Sequence, residues 1–144
     1  MTFRGPEGRS RRRWPYAVLA VAIVVALVVV LLVVPISHGF SFQPVSTSCG
    51  GAFDSATYPS GAHVTGSWAA ASTAFPADVS IHADTGAVIY GADGTNGSFS
   101  FTANGGNYSY EVLPGTQQHV GCGVAPMVTI LGTWSATTWQ SAGL

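Results

Sequence analysis

Four histidines, two cysteines and two methionines are the side chains in this sequence best suited to hold a metal. His119, Cys122 and Met127 offer an imidazole, a thiolate and a thioether, the ligand chemistry of a blue-copper site. Their order differs from such a site, where the Cys precedes the ligand His and Met. His82 and His119 read as solvent-face residues, His63 lies on or beside a predicted strand, and Cys122 has Cys49 to pair with. No metal and no cofactor is expected. Asp93-Gly94-Thr95-Asn96 has the oxygens of a calcium loop but lacks the alternating carboxylates and terminal Glu of an EF-hand. A turn in which Asp and Asn accept backbone bonds explains it better.

Hydrolytic catalysis needs a nucleophile, a base and an orienting acid that converge in space. Serines are so frequent here that a Ser/His/Asp combination has no specificity. There is no Gly-x-Ser-x-Gly elbow, and Ser67 in Thr65-Gly66-Ser67-Trp68-Ala69 is ordinary strand sequence. No pair of nearby carboxylates can be nominated for glycoside chemistry. The chain is read as non-enzymatic. Sugar binding is the strongest ligand reading, because flat aromatic faces stack on sugar rings. Most of the aromatics are needed for a core, and only Tyr58 and Trp139, outside the clean alternating runs, are candidates.

The charges are segregated. Five arginines (Arg4, Arg9, Arg11, Arg12, Arg13) and Glu7 give the N-terminal tail +4. From Ser37 onward there is no Lys or Arg, only Asp54, Asp78, Asp84, Asp93 and Glu111, which give −5 and bring the whole chain to −1. Nucleic-acid binding by this part is excluded by its charge. Between the two lies Tyr16 to Val34, drawn only from Tyr, Ala, Val, Leu and Ile. As a helix it is about 28 Å long, close to the roughly 30 Å hydrocarbon core of a bilayer. Trp14 and Tyr16 stand where an interfacial aromatic belt belongs, and Pro35 stops the helix. A cleavable signal peptide competes with a retained anchor: its apolar region is usually shorter, but Ser37-His38-Gly39 is a passable cleavage site, and Ser10-Arg11-Arg12 faintly matches a twin-arginine signal. Length favours the anchor, so the chain is expected to be a single-pass membrane protein with the bilayer engaged through residues 16–36. Arg11, Arg12 and Arg13 direct the N-terminus to the cytoplasm and the C-terminal part outside.

Two further features agree with export. Cys49 and Cys122 are the only cysteines, and an even count in an exported domain reads as a disulfide. Asn96-Gly97-Ser98 and Asn107-Tyr108-Ser109 are N-glycosylation acceptor triplets in or beside predicted turns.

These features need elements to carry them. Residues 1–15 form a cytoplasmic tail, 16–36 the membrane helix, 37–48 an aperiodic stalk and 49–144 the exported domain. In the domain, short alternating runs recur at about ten-residue spacing, the pattern of an all-β antiparallel sandwich. The predicted strands are His63–Ala70, Asp78–Ala83, Ala87–Ala92, Ser98–Ala103, Asn107–Leu113, Gln117–Val124 and Met127–Trp134, seven in all, with a tight hairpin at Asp84-Thr85-Gly86 and a turn at Asn104-Gly105-Gly106. Val, Ile, Phe, Tyr and Trp alternate inward, Ser and Thr outward.

The series Val64-Thr65-Gly66-Ser67-Trp68, Gly97 to Ala103, Tyr108-Ser109-Tyr110 and Ile130-Leu131-Gly132-Thr133-Trp134 resembles small exported β-sandwich domains of archaeal membrane-anchored proteins. More distantly it resembles the Golgi-dynamics (GOLD) sandwich, over about Gly61 to Ser135. The resemblance implies a jelly-roll-like sandwich used for protein contacts and carries over no catalytic residue. The membrane helix here precedes the domain, and no coiled coil follows it, unlike the GOLD plan. The expected function is a membrane-anchored domain making protein–protein contacts at the cell surface, with a carbohydrate-binding module as the alternative. The absence of Lys and Arg further suits an acidic medium, where carboxylates begin to neutralise and fixed positive charges would repel one another.

Overall fold

The computed structural model describes residues 14–44, 51–115 and 127–142. They divide into two units, one ending at Val34 and one beginning at Pro35. The first holds helix α1, Trp14–Val33, whose mean hydropathy is 3.3. Its 20 residues span about 30 Å. Pro15 is tolerated in the first turn, where its missing N–H has no partner to lose, and Pro35 prevents continuation. No side chain of α1 is buried. It is long and apolar enough to cross a bilayer, a property shared with signal sequences.

The second unit is antiparallel β-structure: β1 Ile36–Phe42, β2 Ala52–Ala70, β3 Ala77–Ala83, β4 Val88–Gly94, β5 Asn96–Pro114 and β6 Val128–Ala136, followed by a short helix α2, Thr138–Ser141. The strands hydrogen-bond in the order β1-β6-β2-β5-β3-β4. β2 and β5 are 19 residues each and pair along nearly their whole length. They are sharply bent. Phe99 and Tyr110 lie on the same strand eleven positions apart, about 36 Å if straight, yet their ring centroids are 5.9 Å apart. The bend falls at Gly105 and Gly106, both at positive φ, opposite the register shift between Ser60 and His63 and the positive-φ Gly61. Glycine tolerates that conformation at little cost. The Tyr108 hydroxyl accepts from the Asn104 N–H at 2.9 Å and closes the corner. A bulged, bent ribbon of this kind turns one sheet into the two layers of a sandwich: β1, β6 and the second half of β2 with the first half of β5 in one, the remaining halves with β3 and β4 in the other.

The centre of the core is a row across four strands. Phe40 pairs with Gly132, Gly132 with Gly66, and Gly66 with Phe99. Strands lie about 4.8 Å apart, so the two phenylalanines start some 14 Å from each other. Their rings nevertheless stack with centroids 6.4 Å apart, because both lean over the glycine pair. Tyr110 from the opposite layer caps them, 5.8 and 5.9 Å from the two rings. Its hydroxyl meets that of Tyr58 at 2.6 Å, and among the described residues no buried side-chain polar atom lacks a partner.

The segment expected as a stalk is corrected. Residues 36–42 form β1, so the sandwich begins at Ile36 rather than at 49. Ile36, His38, Phe40 and Phe42 alternate with Ser37, Gly39 and Ser41, and Phe40 and Phe42 pack against the core. The runs expected as separate strands on either side of Asn104 to Gly106 are one continuous β5 that bends there. β2 starts eleven residues before the expected His63. The expected strand Gln117–Val124 lies outside the described residues.

Candidate interaction surface

The alternation of the strands decides which side chains face out. Trp68, Tyr108 and Tyr110 are inside, as their runs require, and the Trp68 indole N–H donates to the Tyr90 hydroxyl at 3.0 Å. Tyr58 is a correction. It lies within β2 and is 1% exposed, its ring packed among Phe40, Phe101, Tyr108 and Trp134. It offers no face to a sugar. Its position was hard to read because its inward neighbours on β2, Ala52, Asp54 and Ala56, are not a hydrophobic stripe. Burial raises the pKa of both Tyr58 and Tyr110, so the pair is neutral and shares one hydroxyl proton donor. Trp139 is 56% exposed. It sits on α2, whose capping box is built by Thr137 and Gln140 and whose Gln140 side-chain amide donates to the Gly61 carbonyl at 3.2 Å.

One arrangement has the composition of a hydrolytic triad. Ser80 Oγ lies 2.9 Å from His82 Nε2, and Glu111 Oε2 lies 3.2 Å from the same atom. In a triad the base uses one ring nitrogen for the serine and the other for the acid. Here both partners share Nε2, so the acid cannot orient a base that accepts the serine proton. The cluster ties β3 to β5 on the outer face; it is not a relay. Among the described residues no three His, Cys, Asp or Glu side chains could together hold a metal ion. His119 and Cys122 lie outside the described residues, as do Cys49, Arg11, Arg12 and Arg13; Met127 is exposed just before β6. Asn96 and Asn107 are both exposed, so each acceptor amide faces solvent.

The surface is polarised along the strands. Asp54, Asp78, Asp93 and Glu111 sit on the halves of their strands away from the corner, and the first layer carries no carboxylate. The corner end bears only Asp84, in the β3–β4 hairpin. It does bear exposed apolar side chains: Val88 (63%) and Ile89 directly after that hairpin, Ile36 (52%) paired with Ala136, and Trp139 three residues beyond Ala136. Phe53 and Met127 are exposed toward the far end and Leu131 on an outer face.

Asp78 and Asp93 face each other directly across β3 and β4, an unfavourable like-charge pair. Burial, then Asp93 and Glu111, raise the Asp78 pKa above its ordinary value. The folded state therefore binds this proton more tightly than the unfolded chain, and the associated stability is full below the ordinary carboxylate range and lost as pH rises through the raised value. Asp78→Asn should raise the melting temperature at pH 7 by a few degrees and leave it unchanged near pH 3, where the parent chain should remain folded. Thermal unfolding at both pH values checks this; cooperative acid unfolding of the parent well above about pH 4 would contradict it.

The terminal strands of the sheet, among the described residues, are β1 and β4. Neither carries Lys or Pro, the residues that commonly guard an edge. Beyond Tyr90, β4 reads Gly91, Ala92, Asp93, Gly94, so little side-chain bulk stands in the way of another strand.

No family model matches the chain, and no curated protein matches it. Among solved structures, a protein of Bacillus endospore appendages, described as a novel family of disulfide-linked pili, is similar with a TM-score of 0.51 at 11% identity, over 72% of this chain and 88% of that one. The Yersinia pseudotuberculosis-derived mitogen is similar with a TM-score of 0.46 at 7% identity, over 69% of this chain and 86% of that one. The first of these likenesses is one of fold.

Proposed function

We propose that this chain is a membrane-tethered, non-enzymatic, exported β-sandwich that makes protein contacts at the cell surface by accepting a neighbour's strand along β4. The observation that carries this reading is the edge from Gly91 to Gly94, three small residues and Asp93, without Lys or Pro. An added strand would satisfy its outward backbone groups, the mode called β-augmentation. The likeness in fold to a protein of disulfide-linked pili supports the same use. The sugar-binding alternative is left with Trp139 alone, without the convergent polar groups that a binding pocket uses.

The exported setting also implies that Cys49 and Cys122 pair. The described residues that flank their segments lie at the end of the sandwich away from the corner: Ala52 pairs with Val112, the Gly115 N–H donates to the Pro76 carbonyl, and the Ala71 N–H to the Met127 carbonyl.

A Cβ at Gly91 meets only Val88 Cγ1 at 4.0 Å, so a side chain fits there without disturbing the fold. Gly91→Lys places an edge-guarding charge on β4. After cross-linking in native membranes, the parent chain should recover a stoichiometric neighbour that the lysine variant loses at least tenfold while melting unchanged. An unchanged neighbour in the variant, or a parent chain recovered alone, would count against the reading.

A further inference from the structure

Two motifs take no part in the core or in the proposed edge contact: Asn96-Gly97-Ser98 and Asn107-Tyr108-Ser109. Both lie on β5, one before the corner and one after it. Residues two apart on a strand share a face, so each asparagine stands on the same side as the serine of its own triplet. Phe99 before the corner and Tyr108 after it are buried, so Asn96 and Ser98 face out of the first layer, Asn107 and Ser109 out of the second. Neither triplet is crowded. Asn96 and Ser98 pair with Ala69 and Ser67, and Asn107 and Ser109 with Thr57 and Ser55, so their outward neighbours on β2 are all small. Among the described residues the Asn96 amide nitrogen reaches only Thr95 Oγ1, at 3.5 Å, too long to hold it firmly. Both asparagines are exposed. Each also follows a turn, since Gly94 and Gly106, at positive φ, stand just before them.

From this placement we infer that Asn96 and Asn107 are both N-glycosylated, with one glycan on the outer face of each layer. The inference rests on the exported setting of the proposed function, because the Asn-x-Ser triplet is an acceptor on the surface of secreted proteins. The donor is a lipid-phosphate-linked oligosaccharide. The asparagine Nδ2 bonds to C1 of its first sugar, the bond from C1 to the phosphate oxygen breaks, and the lipid phosphate leaves with that electron pair while the amide proton passes to solvent. Side chains stand roughly perpendicular to a sheet, so both glycans leave along the face normals. Their bulk keeps two outer faces from stacking on each other. The edge from Gly91 to Gly94 lies in the plane of its own sheet and stays open to a partner's strand.

The test is intact-mass measurement of the full chain purified from its native membranes, with the double Asn96→Gln, Asn107→Gln chain as the bare reference. Apart from the substitutions themselves, the parent should exceed that reference by two glycans. Asn96→Gln and Asn107→Gln should each remove one glycan, and Ser98→Ala and Ser109→Ala should do the same while keeping the amide. The double variant should retain the neighbour cross-linked to the parent; its loss would overturn the placing of the glycans clear of the contact. A mass unmoved by one asparagine substitution overturns the assignment of that site. Loss of a sugar on replacing a serine but not its asparagine puts the linkage on the hydroxyl and overturns it equally. A parent that matches the reference overturns the inference as a whole: with Cys49 and Cys122 joined the exported reading still stands, and with both thiols free it falls too.

Discussion

Replacing Gly66 or Gly132 with alanine is expected to lower the stability of the sandwich by roughly 3 kcal/mol or more, beyond the usual cost of overpacking. A Cβ on Gly66 would stand 2.6 Å from the Leu131 carbonyl oxygen and run into the Phe99 ring; on Gly132 it would stand 2.6 Å from the Thr65 carbonyl oxygen and run into the Phe40 ring. The carbonyls belong to neighbouring strands and cannot move without breaking the ladder. The rings cannot move without leaving Tyr110, which packs on both. A flexible side chain could yield; a paired backbone cannot. Gly39→Ala is the matched control, because its Cβ would meet only the Gly132 carbonyl at 4.0 Å. In that open edge position alanine should be neutral, since glycine is itself a poor strand residue. Thermal or urea unfolding of the full chain in micelles checks the contrast. Equal, small effects at all three positions would mean that the four-strand row is not packed as described.

The second large effect concerns the cysteines. Joining Cys49 to Cys122 closes a loop of some seventy residues, worth about 4 kcal/mol in the chain-entropy account. Replacing both by serine should lower the melting temperature by about 15 °C or more for a domain of this size. Two freely titrating thiols in the native exported protein would refute the pairing outright.

Where the sequence was informative, local pattern and outcome coincide. The alternation of Val79 and Ile81 against Ser80 and His82, and of Phe99 and Phe101 against Ser98 and Ser100, is the pattern of β3 and β5. Asn104-Gly105-Gly106 was readable as a change of direction, because only glycine holds such φ values easily. What it could not disclose is that the chain on either side keeps pairing with the same partner, β2, since that depends on a register set 27 to 60 residues away. β1 was passed over because His38 and Gly39 dilute its alternation, and Pro35 before it and Pro44 after it read as a linker. Tyr58 was misplaced for a related reason: small inward residues on the first half of β2 leave room for rings from the other layer, so the strand carries no hydrophobic stripe of its own. The glycine pair was visible only as two isolated strand glycines. Their meaning comes from Gly66 standing beside Gly132, a non-local fact.

A surface tether requires that α1 remain attached and in lipid. Alkaline carbonate extraction of native membranes, followed by intact-mass measurement of the recovered chain, tests this directly. The expected result is a chain in the membrane pellet whose mass includes Trp14 to Val34. A soluble chain starting near Phe40 would contradict it, and would cost the sandwich most of β1 as well as its tether.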